Sequence, residues 1–312
     1  MTDTPRPAIG VMLPRNTDST RVREFAQRAE RLGFDELWVV EDLGFRGGIA
    51  QAGAVLGWTE RIRVGIGILP AGARNAAFAA MELATLAQLF PGRVDAGIGH
   101  GMPDWMRSVG AWTDRPLRTL DAHVSAVRAL LRGDEITEGV RLDATSVPAT
   151  PPPLLLGVRG PRSLALSGRI ADGTVLAEPV TPEYARAAVA SIAATGDHRL
   201  IAYNVGSVGP DAAAALAAVR PALAWIGEPD WAPHIDPLPF AAEFAQLRAR
   251  SASREDFVRD LPDEWVAQLA LAGTPAQVRA RIDALAAAGV HSSVFAPIGD
   301  PVAALDSLAT VL

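Results

Sequence analysis

The sequence predicts an α/β fold, a (β/α)8 TIM barrel formed as one domain over residues 1–312, with insertions after the fourth and seventh strands. Three observations predict it. Eight short apolar runs are each followed by a helical stretch. Most of these runs are continuous rather than alternating, as parallel strands covered on both faces must be. The helix-to-strand phrase recurs as AERLGFDELWVVE, LSGRIADGTVLAE and LAAAGVHSSVFAP at irregular spacing, which marks βα modules rather than a solenoid. A chain of this length buries about 75% of its unfolded surface without staples, and barrels of this length run as one domain.

The strands in order are residues 8–14, 36–41, 62–69, 93–99, 153–158, 172–177, 199–206 and 290–297. The first helix starts at Thr20. Val22, Phe25, Ala26, Ala29 and Leu32 recur at helical spacing, and Gly33 follows as the C′ residue. The helix before the last strand opens TPAQ, with Thr274 as N-cap, Pro275 at N1 and Gln277 at N3, and it stops at Gly289. Residues 100–152 hold a helix around 116–132, then GDEITEGVRLDATSVPATPPP, read as a short hairpin with a proline-rich approach to the fifth strand. Residues 224–262, with Trp225, Trp231, Pro229, Pro233, Pro237 and Pro239, form a long excursion after the seventh strand, either a lid or substrate loop or a packing insertion.

Composition excludes several kinds of chemistry. Cysteine is absent, which removes disulfides, thiolate nucleophiles and thiolate metal sites. All 29 basic residues are arginine, so no lysine can form a Schiff base or complete a P-loop. The net charge of −6 argues against a nucleic-acid surface. The five histidines (His100, His123, His198, His234, His291) lack metal-ligand spacing, so no metal is expected. No apolar run approaches a membrane span, and MTDTPRPAIG has neither the basic nor the apolar region of a secretory signal, so the expected location is the cytoplasm.

Function is to be sought in three turns, IGILPAGARN (66–75), GIGHGMPDW (97–105) and LGVRGPRSLALSGRIADG (156–173), because ligands of parallel α/β folds bind beyond the carboxyl ends of the strands. Gly157, Val158, Arg159, Gly160 and Pro161 join a strand to a helix. Glycines there admit close approach of a ligand, and the helix N-terminus with Arg159 or Arg162 offers an anion site; the plainer alternative is a tight turn. Glu41 and Asp42 end the second strand as adjacent carboxylates at the barrel mouth. Like charges this close disfavour joint ionisation, so one of them can carry a proton; alternatively Asp42 caps the next turn and Glu41 pairs with Arg46 or Arg74. Glu178 lies at the same end of the barrel. Trp105, Tyr203 and the excursion either wall a substrate pocket or serve packing.

Three segments carry a resemblance: ARNAAFAAMELATLAQLFPGRVDAGIGHG (73–101), PPPLLLGVRGPRSLALSGRIADGTVLAEPVTPE (151–183) and GTPAQVRARIDALAAAGV (273–290). They resemble the bacterial luciferase-like superfamily of flavin- and deazaflavin-dependent oxidoreductases, and the likeness covers most of the chain outside 224–262. The resemblance implies a barrel whose turn at Gly157–Pro161 holds the cofactor phosphate. It also places the glycines Gly99 and Gly101 beside the cofactor's side chain; His100 between them either donates to phosphate or ribityl oxygens or stands behind the site. Gly67, Ile68 and Leu69 at the end of the third strand and Arg74 and Asn75 in the turn after it are the further candidates for cofactor binding. In the deazaflavin branch that strand end carries a non-prolyl cis peptide behind the ring, and Gly67–Ile68 fits the pattern, since glycine lowers the steric cost. Departures matter too. The deazaflavin sugar dehydrogenases have Asp-His where Glu41-Asp42 stand and Glu where Met102 stands, so that activity is not expected, and neither is light emission.

The expected function is hydride transfer between coenzyme F420 and a small organic substrate, as a reductase of an activated C=C, C=N or C=O bond. Glu41 or Asp42 handles the proton, with His100 as a second candidate. Two alternatives stand beside it: an FMN-dependent monooxygenase fed by a separate cofactor reductase, and a barrel that binds a small ligand without turnover. A homodimer is the family's habit.

Overall fold

The computed structural model describes residues 6–137 and 139–312. The first half of the chain runs β1 (Ala8–Met12), α1 (Val22–Leu32), β2 (Glu36–Val39), α2 (Gly48–Trp58), β3 (Arg63–Pro70), α3 (Ala76–Leu89), β4 (Val94–Gly99), α4 (Pro103–Ser108) and α5 (Pro116–Leu131). The second half runs β5 (Leu154–Gly157), α6 (Pro161–Ile170), β6 (Gly173–Leu176), α7 (Pro182–Ile192), β7 (Arg199–Val208), α8 (Ala212–Val219), α9 (Ala232–Ile235), α10 (Ala241–Arg250), α11 (Arg254–Arg259), α12 (Asp263–Leu269), β8 (Leu271–Gly273), α13 (Pro275–Ala287), β9 (Ser292–Pro297) and α14 (Pro301–Leu308).

Eight parallel strands lie side by side in the order β6-β5-β4-β3-β2-β1-β9-β7, and β6 pairs with β7 to close the ring. The (β/α)8 barrel expected from the apolar runs is thus the fold. β8 is an addition that the sequence reading lacked: three residues that pair with Gly206–Val208 at the far end of β7. β2 ends at Val39, two residues earlier than expected, which leaves Glu41 in the loop beyond it. The expected hairpin after α5 is a single antiparallel bridge between Thr137 and Val140. Helix ends follow their sequence signals. Gly33 takes φ 94° and its N–H bonds the carbonyls of Ala29 and Glu30. Thr274 and Gln277 form a reciprocal capping box.

Strand alternation sorts the apolar side chains into separate cores. One face packs under the helices as the main core; the other fills the barrel with Trp38, Leu155, Val175, Ile201, Tyr203 and Val294. A third core, including Leu223, Phe244, Phe257 and Leu269, belongs to the excursion, whose short helices α9–α11 pack with α12 into a cap. Below the apolar interior, at the amino ends of the strands, lies a charged layer. Glu36 (2% exposed) accepts from Trp38 Nε1 at 2.8 Å, Ser292 Oγ at 2.7 Å and Arg199 at 3.0 Å. Asp95 (1% exposed) accepts from Arg199 at 2.9 Å and Arg63 at 2.5 Å. No helix among the described residues is long and apolar enough to cross a membrane.

Candidate active site

At the carboxyl ends of the strands the interior changes from large to small residues. Gly67, Gly157, Ala177 and Ala296 are half-buried there, above the fully buried layer of Trp38 and Leu155. A shallow cup results. Its floor is shaped by β3. Ile66 pairs with Ala96 and Leu69 with Ile98, so Gly67 and Ile68 together oppose one residue of β4, a bulge. The Gly67–Ile68 peptide is cis, as the sequence suggested. The Ile68 side chain lies across the ends of β4 and β5. A Cβ at Gly97, Gly99 or Gly157 would meet its methyl groups, and overlap them at Gly99 and Gly157. These glycines are therefore needed by the packing of Ile68, and that contact explains Gly99 and Gly157 without a ligand.

Tyr203 stands beneath the bulge. Its ring meets Trp38 edge-on at 5.5 Å, and its hydroxyl abuts Gly67, buried and without a partner. Burial holds that phenol well above its usual range, with the charges of Glu36, Glu178 and Asp95 acting in the same direction. The expectation that Tyr203 walls the pocket is corrected: at 4% exposure it is part of the floor. Leu69 and Val158 are corrected likewise. Leu69 follows Ile68 and Val158 follows Gly157, both positions facing the barrel side, so alternation sends the side chains of Leu69 and Val158 into the main core.

The two carboxylates after β2 diverge. Glu41 accepts from Arg74 at 2.5 and 2.9 Å and from the Gly48 amide at the start of α2 at 2.6 Å. Asp42 turns to Arg15 at 2.7 Å. Of the partners named for Glu41, Arg74 is the one observed; Arg46 instead bonds Gln51 and the carbonyls of Thr17 and Pro14. Asn75 caps α3 by accepting from the Ala77 amide, so its oxygen is already engaged. Gly101 takes φ 74° against Met106 and Pro70, which accounts for the glycine locally. Trp105 is half-buried on α4.

On the opposite arc, α6 begins without a side-chain cap, at Gly160 and Pro161. His100 reaches that end, with Nε2 3.2 Å from Ser163 Oγ and Nδ1 buried. Burial pushes this imidazole down, so it is neutral at pH 7. In the tautomer protonated at Nδ1, Ser163 donates to Nε2 and the Nδ1 proton is directed at the backbone of Pro116, which opposes the downward shift. Space beside Gly160 is open. Arg159 donates to the Asp230 carbonyl at 3.2 Å and stacks over Trp231 at 4.9 Å, linking this end to the cap.

Trp231 and His234 are the residues the sequence reading did not assign. Trp231 donates to the Glu178 carbonyl at 3.1 Å, and His234 to the Pro179 carbonyl at 3.0 Å, so the cap is latched onto the loop after β6. His234 is fully buried against Tyr184, and burial pushes its imidazole down to about 3. The unfolded chain takes up this proton near pH 6.5 and the folded chain only near 3. Stability is therefore lost as pH falls through that window, at about 1.36 kcal/mol per unit. At pH 5 the loss from this residue is about 2 kcal/mol. Urea midpoints at pH 7.5 and 5 are expected to converge more in His234→Gln than in the wild type; equal losses would show that another group controls the acid limb.

A family model described as luciferase-like monooxygenase matches residues 6–292. The chain is 28% identical over 298 residues to a 5,10-methylenetetrahydromethanopterin reductase of Methanolobus tindarius, covering 89% of this chain and 91% of that one. It is 30% identical over 271 residues to an F420-dependent glucose-6-phosphate dehydrogenase of Beutenbergia cavernae, covering 77% and 80%. Among solved structures, the coenzyme F420 dependent tetrahydromethanopterin reductase from Methanopyrus kandleri shares the fold with a TM-score of 0.79 over 98% of both chains, at 20% identity.

Proposed function

Since this chain belongs to the luciferase-like monooxygenase family, we propose that it is an oxidoreductase that transfers a hydride between coenzyme F420 and a small organic substrate, working as a reductase. The observation that carries the reading is the pairing of a small-residue cup, floored by Ile68, with an uncapped helix start on its rim. A flat ring bearing an anionic side chain requires both features. Relatives named as F420-dependent support the cofactor class.

The residues present fit such a cofactor. The start of α6 has no side-chain cap and the space at Gly160 is open, where an anionic oxygen would be received. Arg159 and the free amides of α6 would hold the phosphate, with Arg162, exposed on the first turn, adding charge. Ile68 would support the ring from below. When bound, the deazaflavin supplies a hydride and has no useful oxygen chemistry. Everything else is positioning by this chain. Glu41 fixes Arg74 and the start of α2, which holds the rim between β2 and β3. The latched cap keeps water from one side of the mouth.

The test is titration of the purified protein with oxidised F420 and, separately, with FMN, following the fluorescence of each ligand. F420 is expected to bind in the low-micromolar range and FMN at least about tenfold more weakly, about 1.4 kcal/mol. Preference for FMN would replace the reading by an oxygen-inserting one that needs a partner reductase, and binding of neither would make a non-catalytic barrel the better account.

A further inference from the structure

We propose that Glu178 is the proton donor to the substrate during reduction, a role that rests on the hydride-transfer reading above. The geometry starts from the main chain. The carbonyl of Glu178 is held by Trp231 and that of Pro179 by His234. Both backbone groups of Val180 bond the side chain of Asn204, at 2.9 and 3.1 Å. Residues 178–180 are thus fixed by four hydrogen bonds from β7 and the cap. The carboxyl of Glu178, in contrast, has no ion pair or side-chain hydrogen bond among the described residues. It is the carboxylate at the mouth left unclaimed, since Glu41 serves Arg74 and Gly48, and Asp42 serves Arg15.

Its position follows from the chain. Glu178 stands two residues beyond the end of β6, at the carboxyl face of the barrel. Arg15 in the loop after β1, Asp42 in that after β2 and Arg159 in that after β5 lie at the same face, and their charges act on it. Burial pushes the carboxyl of Glu178 above the usual carboxylate range and Asp42 adds to this; its own backbone amide, Arg159 and Arg15 oppose the shift without cancelling it. A carboxyl that holds its proton more tightly than an ordinary glutamate is suited to general-acid work. Tyr203 is no competitor, because its hydroxyl is sealed beneath the bulge.

The step balances as follows. The substrate carbon of a C=O, C=N or activated C=C bond accepts a hydride, two electrons and a proton's mass, from the reduced deazaflavin, which is oxidised. The π pair moves to the heteroatom or, in conjugate addition, through the enolate to the α-carbon. That atom takes the proton of Glu178, which leaves as carboxylate and is reprotonated by water. Substrates are accordingly those whose reduction develops negative charge at one atom beside Glu178.

Glu178→Gln and Glu178→Asp test the role. Infrared titration of the ligand-free protein is expected to show a protonated-carboxyl stretch that fades through a midpoint above about 4.3, the ordinary value for glutamate, and is missing in Glu178→Gln. F420 affinity, read by fluorescence, is expected to stay within about threefold in both variants. Single-turnover oxidation of reduced F420 by 2-cyclohexen-1-one, the probe acceptor, is expected to slow by about 10²–10⁴ in Glu178→Gln, to lose its alkaline limb, and to recover in part in Glu178→Asp. A carboxyl band unaltered in Glu178→Gln, or transfer at the wild-type rate, overturns the proposal. Failure of the wild type to bind F420 is a separate result: it overturns the hydride reading, and this role with it, whatever the infrared titration shows.

Discussion

Replacing Arg199 by alanine is expected to destabilise the barrel by about 3–5 kcal/mol, because it leaves the buried Glu36 without its cation and takes one of two from Asp95. Arg199 spans Glu36 at 3.0 Å and Asp95 at 2.9 Å. Arg63 remains on Asp95, but Glu36 would keep only Ser292 and Trp38. Burial already pushes the Glu36 carboxyl up, and the charge of Asp95 adds to it. An acid whose folded value is raised holds more protons when folded, so stability falls as pH rises through the folded value. Arg199→Ala is therefore expected to be less impaired at pH 5.5 than at pH 8, as read from urea midpoints. A triple variant, Glu36→Gln, Asp95→Asn and Arg199→Met, is expected to recover most of the loss, since removing a buried cluster whole costs far less than breaking it. A single variant as stable as the wild type at pH 8 would mean that the layer is wet.

This charged layer also marks how far the sequence could be read. Strands of a closed parallel sheet are apolar on both faces, so their runs and the glycines at their ends were legible, and so was the barrel. Charges at the first positions of those runs, Glu36, Arg63 and Arg199, looked like strand borders, and only the register puts them opposite one another inside the ring. The turns at the mouth were located correctly, but the work of their side chains was not readable. Alternation about an unseen bulge decides that Ile68 faces the cup while Leu69 faces the helices. Glu41 and Asp42, adjacent in sequence, are directed by different arginines, each from another loop. Trp231 and His234 gave no pattern at all, because their partners are main-chain carbonyls about fifty residues away. β8 was too short for any apolar run to announce it.

Gly157→Val is expected to weaken F420 binding by about 100-fold, about 2.7 kcal/mol, while costing the fold about 1–3 kcal/mol as an overpacked position. Its Cβ would overlap the Cγ2 of Ile68. The backbone cannot retreat, because Gly157 is paired on one side with Gly99 and on the other with Val175. Ile68 must yield, and the cup is the open space on its free side. The displaced methyls would then occupy the place of the ring, so affinity falls more than packing alone implies. Fluorescence titration together with a urea melt separates these two losses. Adding Ile68→Ala is expected to restore space at residue 157 and return part of the stability, but not the affinity, because the support under the ring is then missing. Wild-type F420 affinity in Gly157→Val would show that Ile68 does not form the floor, and the ligand would have to be sought beneath the cap instead.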